Sequence, residues 1–263
     1  MMTRGPDEEG ERLAPHPALT AYYRSEGERR HFLDDLFDRT ATRYDRIGQI
    51  MSLGSGAWHR RKALLRAGLM PGGAALDVAV GTGAVARAAK GIVGPSGRVL
   101  GIDPSVGMLL EARRTARIPV VQGLAEHLPF RDASFDLLSM GYAVRHVADL
   151  RHTFREYHRV LRPGGTLLIL DFVQPRHRIT FGVARLYLGT IVPWVAQLGS
   201  GDRQMRLLMR YCWESMARSV PPEVICGAMV ESGFHPPRAK RDYGVFIEYI
   251  AVKPAALDVA TQF

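Results

Sequence analysis

The residues best placed to do chemistry lie in a glycine-rich stretch, LDVAVGTGAVARAA, at residues 76–89. Gly81, Gly83 and Ala86 have the G-x-G-x-x-A spacing that lets a backbone turn approach a ligand at the N-terminus of a helix. The spacing alone leaves three uses open: binding of a nicotinamide or flavin dinucleotide, binding of S-adenosylmethionine, or a tight strand-to-helix connection without a ligand. It predicts a strand, a turn and a helix in that order.

Asp77 helps to separate these uses, because it lies at the end of the predicted strand just before the glycines. A carboxylate at this position repels the pyrophosphate that a dinucleotide would bring to the helix N-terminus. S-adenosylmethionine has no phosphate, and its ammonium and sulfonium groups are complementary to a carboxylate. The alternative role for Asp77 is to accept hydrogen bonds from amides of its own turn. The charge favours S-adenosylmethionine over a dinucleotide.

Composition restricts the class of protein and its partners. The 263 residues, 46% hydrophobic and 23% charged, suffice for one large domain with extensions. The formal net charge is +9, but the basic residues are scattered and lack interleaved aromatic side chains, so no nucleic-acid partner is expected. Cys212 and Cys226 have no metal-ligand spacing. We therefore expect no metal site and a reducing, cytoplasmic location.

Apolar periodicity predicts alternating strands and helices. Strands are predicted at 76–80, 98–103, about 118–123, 135–140 and 166–172, and two more within 238–254 on either side of Gly244. Helices are predicted at 36–65, 84–90, 106–117, 149–162 and 220–234, and 179–217 is helical and apolar. This order predicts an α/β fold: a doubly wound, mostly parallel, seven-stranded Rossmann-like sheet with an antiparallel edge. N-terminal helices and a helical insertion after the fifth strand complete it.

The predicted boundaries divide the chain into a tail, a domain and a second tail. Residues 1–35 are expected to be a mostly disordered charged tail, and residues 255–263 a C-terminal tail. The domain spans 36–254, with a helical cover at 36–66 and the insertion at 179–217. No stretch is expected to be long and apolar enough to span a bilayer, since the apolar stretch 181–199 contains Arg185 and Pro193.

Several motifs together resemble a known family. They are TATRYDRIGQIMSLG, LDVAVGTG, VLGIDPSVGMLLEAR, AEHLPFRDASFD, AVRHVADLRHTFREYHRVLRPGG and, less strongly, YCWESMARSVPPEVICGAMVESGF. In this order they resemble a class I S-adenosylmethionine-dependent methyltransferase. More narrowly, residues from about 36 to 250 are similar to the ubiquinone/menaquinone biosynthesis C-methyltransferase family. The resemblance implies S-adenosylmethionine as the cofactor.

The resemblance also implies which residues bind that cofactor. Thr82 contacts its methionine end, Asp103 holds the two ribose hydroxyls, and Ala125 lies beside the adenine. Tyr44 closes over the methionine moiety, although an ordinary core tyrosine is the alternative. The complete predicted set is Tyr44, Asp77, Gly81, Thr82, Gly83, Asp103, Pro104, Leu124, Ala125 and Gly141.

Three positions depart from the family pattern. Leu124 replaces an Asn or Asp, Gly141 replaces a serine, and the family's Arg-Asn pair reads Arg145-His146. Arg145 is expected to orient a phenolate or a water. His146 is expected to abstract a proton, because imidazole titrates near neutrality; the alternative is an exposed histidine at a helix entry.

The acceptor is expected to bind between the insertion and the sheet. Its predicted contacts are His59, Tyr142, Tyr211, Trp213 and Tyr243, with simple core packing as the alternative for the aromatic residues. The insertion could also touch a membrane surface or form a homodimer. The expected reaction is methyl transfer to carbon of a small aromatic, quinone-like or secondary-metabolite acceptor, with O- or N-methylation still open. A cyclisation such as cyclopropane formation is the alternative, and a binding module without turnover is a third.

Overall fold

The computed structural model describes residues 12–51, 55–175, 177–242 and 244–255. A seven-stranded sheet forms its centre. The strands are β1 Ala74–Val78, β2 Arg98–Asp103, β3 Val120–Gln122, β4 Phe135–Gly141, β5 Leu161–Phe172, β6 Arg238–Asp242 and β7 Phe246–Val252. Their order is β3-β2-β1-β4-β5-β7-β6. Neighbouring strands from β3 to β5 are parallel, whereas β7 is antiparallel to both β5 and β6, which confirms the predicted sheet.

Helices cover both faces of this sheet, as a doubly wound fold requires. They are α1 Glu26–Met51, α2 Gly56–Arg66, α3 Ala84–Val93, α4 Val106–Ala116, α5 Leu150–Val160, α6 Arg178–Leu186, α7 Val192–Ser200, α8 Arg203–Ala217 and α9 Pro222–Glu231. A short 3-10 turn, Val144–His146, follows β4, and a π-helical turn, Tyr187–Ile191, joins α6 to α7. The insertion predicted at 179–217 comprises residues 178–217 in the structure, and the name refers to this range below.

Three apolar cores hold these layers together. One lies between the sheet and helices α5 and α9 and includes Phe154 and Tyr157; a second lies on the opposite face, under α2, α3 and α4. β1 is buried on both sides, because helices cover both of its faces. The third core joins α1 to α7 and α8 and includes Leu36 and Met205. It attaches the N-terminal cover to the insertion.

The strand ends that define the site are shaped by unusual backbone conformations. Ala79, directly after β1, has φ 52°, and Tyr142, directly after β4, has φ 62°. A left-handed conformation is costly for a residue with a side chain and occurs most often at functional sites. Both residues turn the chain sharply away at the carboxyl edge of the sheet, where ligands of such folds bind.

The predicted N-terminal boundary is wrong. Helix α1 begins at Glu26, and Leu19 and Tyr23 are already buried in the third core. The charge of residues 1–35 suggested a tail, but apolar side chains at 19, 23 and 33 pack on the insertion, which sequence periodicity does not reveal. Residues 1–11 and 256–263 lie outside the described residues.

The expectation that no segment is long and apolar enough to cross a membrane is also wrong. Within the described ranges, one helical run, Arg178–Leu198, is long and apolar enough to cross a membrane. It has 21 residues and a mean hydropathy of 1.4. Arg185 and Pro193 do not lower the mean enough to exclude it. Length and composition do not distinguish a span from a surface helix, and Ala184, Val192 and Ala196 in this run are buried against the protein.

Candidate functional site

The carboxyl ends of β1, β2 and β4 enclose a cavity of about 730 Å³, which we call the strand-end cavity. A volume of this order is typical of small-molecule sites. Helix α1 covers it from the outside. Of the ten predicted cofactor residues, nine line it: Tyr44, Asp77, Gly81, Thr82, Asp103, Pro104, Leu124, Ala125 and Gly141. The structure therefore brings together residues spread over nearly a hundred positions of sequence.

Gly83 is the predicted cofactor residue that does not line the cavity. Its φ is 83°, and a Cβ added to it would lie 2.9 Å from Cβ of Ala116 and 3.2 Å from Cα of Ala112. Contacts this short force a neighbour to move, so only glycine lets α4 pack so closely on the turn. Gly83 shapes the turn, whereas Gly81, with φ 53°, faces the cavity.

Asp77 accepts hydrogen bonds from its surroundings, as the alternative role predicts, and it also lines the strand-end cavity. Its Oδ2 accepts a hydrogen bond from the Ala86 amide at 2.9 Å, and its Oδ1 accepts one from Ser139 Oγ at 2.7 Å. The carboxylate thus fixes the start of α3 while lining the strand-end cavity. Burial raises its pKa to about 7, and the nearby Asp103 adds to the rise. A cation in the cavity would stabilise the ionised form.

Asp103 ends β2 and is held in the same way. Its Oδ2 accepts a hydrogen bond from the Gly81 amide at 2.8 Å, and its Oδ1 accepts one from the Ser105 amide at 3.0 Å. Burial raises its pKa to about 6, and Asp34 and Asp38 on α1 contribute. Each carboxylate oxygen has a second lone pair, so the fixed carboxylate can still accept ribose hydroxyls.

Helix α1 is tied to both strand-end loops by carboxylates. Asp45 accepts a hydrogen bond from the Thr82 hydroxyl, and Asp38 accepts one from Ser105 Oγ at 2.5 Å. Asp34 and Asp45 also line the strand-end cavity. Sequence reasoning missed these two roles. The RYD triplet, which contains Asp45, was the available signal.

S-adenosylmethionine fits this cavity by the chemistry of its walls. Five carboxylates line it, together with four arginines; the carboxylates are those of Asp34, Asp45, Asp77, Asp103 and Glu126. The two at the strand ends are buried with raised pKa values, so the cavity favours a positively charged ligand. The glycine turn provides the close backbone approach. A pyrophosphate at the glycine turn would lie beside the carboxylates of Asp77 and Asp103, which repel it.

A second cavity of about 610 Å³ adjoins the first and is mostly apolar; we call it the insertion cavity. It lies between α2, the insertion and the ends of β5 and β7. Tyr44, Gly56, Arg60 and Tyr142 line both cavities and form their shared wall. Two ligands bound side by side would therefore meet at this wall.

The insertion cavity contains three of the five predicted acceptor contacts. His59, Tyr142 and Trp213 line it. Tyr211 does not: it is fully buried in the third core, where Tyr22 and Phe32 pack edge-on against its ring. The prediction for Tyr211 is therefore wrong, because α8 turns this residue toward α1. Tyr243 lies outside the described residues.

Arg145 and His146, adjacent in sequence, face different cavities. Arg145 lines the insertion cavity and donates from Nη1 to Asp171 Oδ1 at 2.6 Å, with both side chains almost fully buried. Burial lowers the pKa of Arg145, but Asp171 and the neighbouring Cys212 and Tyr44 together raise it above its usual value, so the guanidinium stays charged. This ion pair fixes Arg145 at the end of β5.

His146 lines the strand-end cavity. Its ring stacks on that of Tyr211, with centroids 5.6 Å apart, and Nδ1 lies 3.5 Å from the Tyr211 hydroxyl. Arg29 donates to its backbone oxygen at 2.7 Å. Burial holds the imidazole pKa well below its usual value, and the positive charges of Arg145, His16 and Arg29 lower it further. The ring is therefore neutral near pH 7 and is not the exposed helix-entry histidine of the alternative interpretation.

Arg60 on α2 is a site residue that sequence reasoning missed. It belongs to the shared wall, with its guanidinium carbon 5.8 Å from the centre of the Tyr142 ring. Its buried Nε has no hydrogen-bond partner among the residues described. Arg60 is the first of three consecutive basic residues, 60–62, and the sequence alone does not show which of them faces the site. A buried guanidinium nitrogen beside two cavities points to a ligand acceptor.

The family departures have local explanations. A Cβ at Gly141 would lie 2.8 Å from Cγ2 of Val85, so Val85 already occupies the space of a serine side chain. Leu124 places an apolar side chain in the wall of the strand-end cavity next to Ala125. Leu124 and Gly141 therefore offer no polar side chain to the cavity at these two positions.

A doubly wound sheet whose glycine turn and acidic strand ends surround a cavity for a cationic ligand defines a class I S-adenosylmethionine-dependent methyltransferase. The fold is similar to that of a solved S-adenosylmethionine-dependent methyltransferase from Thermotoga maritima, described as a possible histamine N-methyltransferase. The TM-score is 0.59 at 19% identity, over 84% of this chain and 99% of that one.

The model of the ubiE/COQ5 methyltransferase family matches residues 24–253, and the chain belongs to this family. It is 33% identical over 213 residues to the ubiquinone/menaquinone biosynthesis C-methyltransferase UbiE of Hahella chejuensis, covering 78% of this chain and 84% of that protein. It is 38% identical over 177 residues to the demethylmenaquinone methyltransferase of Symbiobacterium thermophilum, covering 64% of this chain and 70% of that protein.

Proposed function

We propose that this enzyme transfers a methyl group to a ring carbon of a quinone precursor bound in the insertion cavity. The observation that carries the proposal is the shared wall, because it joins a site fitted to S-adenosylmethionine to a large apolar cavity. The names of the relatives support a quinone-type acceptor. They do not favour the cyclisation alternative.

The residues of the strand-end cavity position the cofactor. Bound S-adenosylmethionine supplies an electrophilic methyl group. Asp77 provides the negative charge for the cationic end, and Asp103 accepts the ribose hydroxyls. The Thr82 hydroxyl, which donates to Asp45, belongs to the glycine turn and would contact the methionine end of the bound cofactor. Together they fix the cofactor relative to the shared wall, which is the geometric requirement for methyl transfer.

Arg60 activates the acceptor. A ring carbon becomes nucleophilic when a neighbouring phenol is ionised, and a cation near that oxygen stabilises the phenolate. The Nε atoms of Arg60 and Arg145 both lack a partner among the described residues, but Arg145 is already ion-paired with Asp171 through Nη1. Arg60 lines both cavities, whereas Arg145 lines the insertion cavity alone. We therefore assign the phenolate contact to Arg60. Arg145 holds the edge of the insertion cavity and orients the ring.

We assign the proton that the methylated carbon must lose to His146, which lines the strand-end cavity, the side from which the methyl group would come. A neutral imidazole is required, and the low pKa of His146 provides one near pH 7. If Nδ1 carries the ring proton and donates it to the Tyr211 oxygen, Nε2 is the free acceptor. Tyr211 is thus a positioning residue for the base. Its phenol stays neutral, because burial raises its pKa above the usual value.

The direct test is to incubate the purified protein with S-adenosylmethionine and a short-tailed demethylated quinol under reducing conditions. We expect S-adenosylhomocysteine and a product heavier by one CH₂, with the new methyl group on a ring carbon by NMR. We expect His146→Ala to lower kcat by about a hundredfold without changing cofactor affinity. Methylation at oxygen, or turnover unaffected by the His146 substitution, would overturn the corresponding step.

The insertion exposes apolar side chains next to its cavity, which supports a contact with either a bilayer or a second copy of the chain. The two cysteines are unpaired thiols, which supports a cytoplasmic location. Sedimentation velocity with and without vesicles distinguishes a bilayer from a second copy as the occupant.

A further inference from the structure

The insertion carries an apolar surface that the described part of the protein leaves uncovered. Helix α6, the π-helical turn and α7 form one helical run, whose inner side is buried. The outer side exposes eight apolar residues at helical spacing, which we call the apolar face: Ile179, Val183, Leu186, Tyr187, Ile191, Trp194, Val195 and Leu198. An apolar patch of this extent usually marks a contact with another surface.

The segment that carries the apolar face contains basic side chains and no acidic ones. No Asp or Glu occurs in the sequence between Asp171 and Asp202, whereas Arg178 and Arg185 are exposed on α6. The Arg206 guanidinium carbon lies 3.9 Å from the centre of the exposed Trp194 ring. Long cationic side chains whose stems lie on apolar surface are suited to the headgroup layer of anionic lipids.

The insertion cavity opens at this face. Val183 and Tyr187 are exposed members of the apolar face and also line the cavity. On the other side of the opening, Trp58 of α2 lines the same cavity and is 55% exposed, and Lys62 Nζ lies 3.8 Å from its ring centre. Tryptophan rings with adjacent cations are typical of side chains at a membrane–water interface.

The charge distribution selects between a bilayer and a second copy. In a two-fold dimer the face would meet itself, so Arg178 and Arg185 would approach a surface without a carboxylate to pair with them. An anionic bilayer offers both apolar contact and opposite charge. We propose that the apolar face docks on an anionic phospholipid bilayer. Resting on the proposed function, we add that a lipid-tailed acceptor passes from the bilayer directly into the insertion cavity.

Vesicle binding by the full chain, without any acceptor, tests the docking. The probe is vesicles of phosphatidylglycerol and phosphatidylcholine, compared with phosphatidylcholine alone, in a flotation assay. The double variant Ile179→Ser/Leu198→Ser removes side chains that are 81% and 80% exposed and line neither cavity. We expect its vesicle affinity to fall about tenfold to a hundredfold. We expect wild-type binding to weaken with salt and on uncharged vesicles.

The matched control is Met70→Ser/Leu110→Ser, which removes side chains that are 66% and 60% exposed on other elements. We expect it to bind vesicles like the wild type. Equal loss in both double variants, or no wild-type binding to anionic vesicles, would overturn the docking. So would a wild-type dimer that Ile179→Ser/Leu198→Ser converts to a monomer, since the face would then join two copies.

A second readout separates this inference from the proposed function. Methylation of a short-tailed quinol dispersed in detergent does not require a bilayer, and we expect both double variants to retain it. Methylation without vesicle binding would refute the docking alone. Vesicle binding without methylation of any quinone precursor would refute the proposed function and leave the docking supported.

Discussion

Replacement of Asp77 by Asn tests the charge of the strand-end cavity with little other change. In Asp77→Asn the side-chain oxygen can still accept from the Ala86 amide, and the new NH₂ group can donate to Ser139 Oγ. The start of α3 and the end of β4 therefore keep their link. What is lost is the negative charge, so we expect weaker binding of S-adenosylmethionine. The loss should be smaller for S-adenosylhomocysteine, whose sulfur is uncharged.

The pKa values of Asp77 and Asp103 determine how strongly the affinity for S-adenosylmethionine depends on pH. With a pKa of about 7, Asp77 is about 90% ionised at pH 8 and about 3% ionised at pH 5.5. If only the ionised form binds the cation, wild-type affinity falls by up to roughly thirtyfold over this interval. Asp103, with a pKa of about 6, adds about fourfold in both proteins. We expect the variant to retain only this smaller dependence.

The folding stability of the wild type should fall as the pH rises, whereas its affinity for S-adenosylmethionine increases. A folded-state pKa above the usual carboxyl value means that the native state binds more protons than the unfolded state between about pH 4 and pH 7. Wild-type stability therefore falls as the pH rises through this window, and Asp77→Asn avoids that loss. We expect the variant to be the more stable protein at about pH 8 and equal to the wild type near pH 4, as measured by urea unfolding.

Calorimetric titration with both ligands at several pH values, with the exposed Asp35→Asn as control, is the assay. Parallel pH dependence of S-adenosylmethionine affinity in the wild type and Asp77→Asn would refute the reasoning. So would an equal loss of affinity for the sulfonium and the neutral thioether, because the effect would then not depend on charge.

Three further predictions concern the shared wall, the base and the glycine turn. Arg60→Gln removes the cation at the phenolate, and we expect kcat/KM for the acceptor to fall about tenfold to a hundredfold, measured against exposed Arg61→Gln, which should match the wild type. Tyr211→Phe removes the partner of His146 Nδ1, so kcat should fall about twofold to tenfold with cofactor Kd unchanged, whereas a purely structural role would alter both. Gly83→Ala should destabilise the fold by about 1–3 kcal/mol in urea unfolding, because the new Cβ meets Ala116 at 2.9 Å in a left-handed conformation. Its control, Gly91→Ala in open space on the same helix, should be neutral or stabilising.

The elements that the sequence predicted correctly are those whose patterns lie within a few neighbouring residues. Short apolar runs next to glycines predicted β1, β2 and β4. The G-x-G-x-x-A turn predicted the start of α3. The two edge strands around Gly244 followed from alternation on either side of a turn residue. These signals are local because a buried parallel strand and a helix entry each require particular residue types within a few positions.

The positions of the remaining site residues are decided by contacts between segments that are far apart in sequence. Whether Tyr211 faces the insertion cavity or α1 is decided by the rotation of α8, and an aromatic side chain satisfies either environment. Arg60 is one of three consecutive basic residues, and only the packing of α2 places it, rather than Arg61, at the shared wall. The early start of α1 has the same origin, since Leu19 and Tyr23 are buried by residues nearly two hundred positions away.

The shared wall of Tyr44, Gly56, Arg60 and Tyr142 has a thermodynamic consequence for the two binding equilibria. A ligand in one cavity fixes side chains that the other ligand also touches, so the two affinities are linked. Linkage is reciprocal: whatever factor the acceptor applies to cofactor affinity, the cofactor applies to acceptor affinity. Product release obeys the same relation. Methyl transfer would remove the sulfonium charge beside the shared wall. The affinity of the insertion cavity for the quinol would therefore change when the reaction in the strand-end cavity is complete.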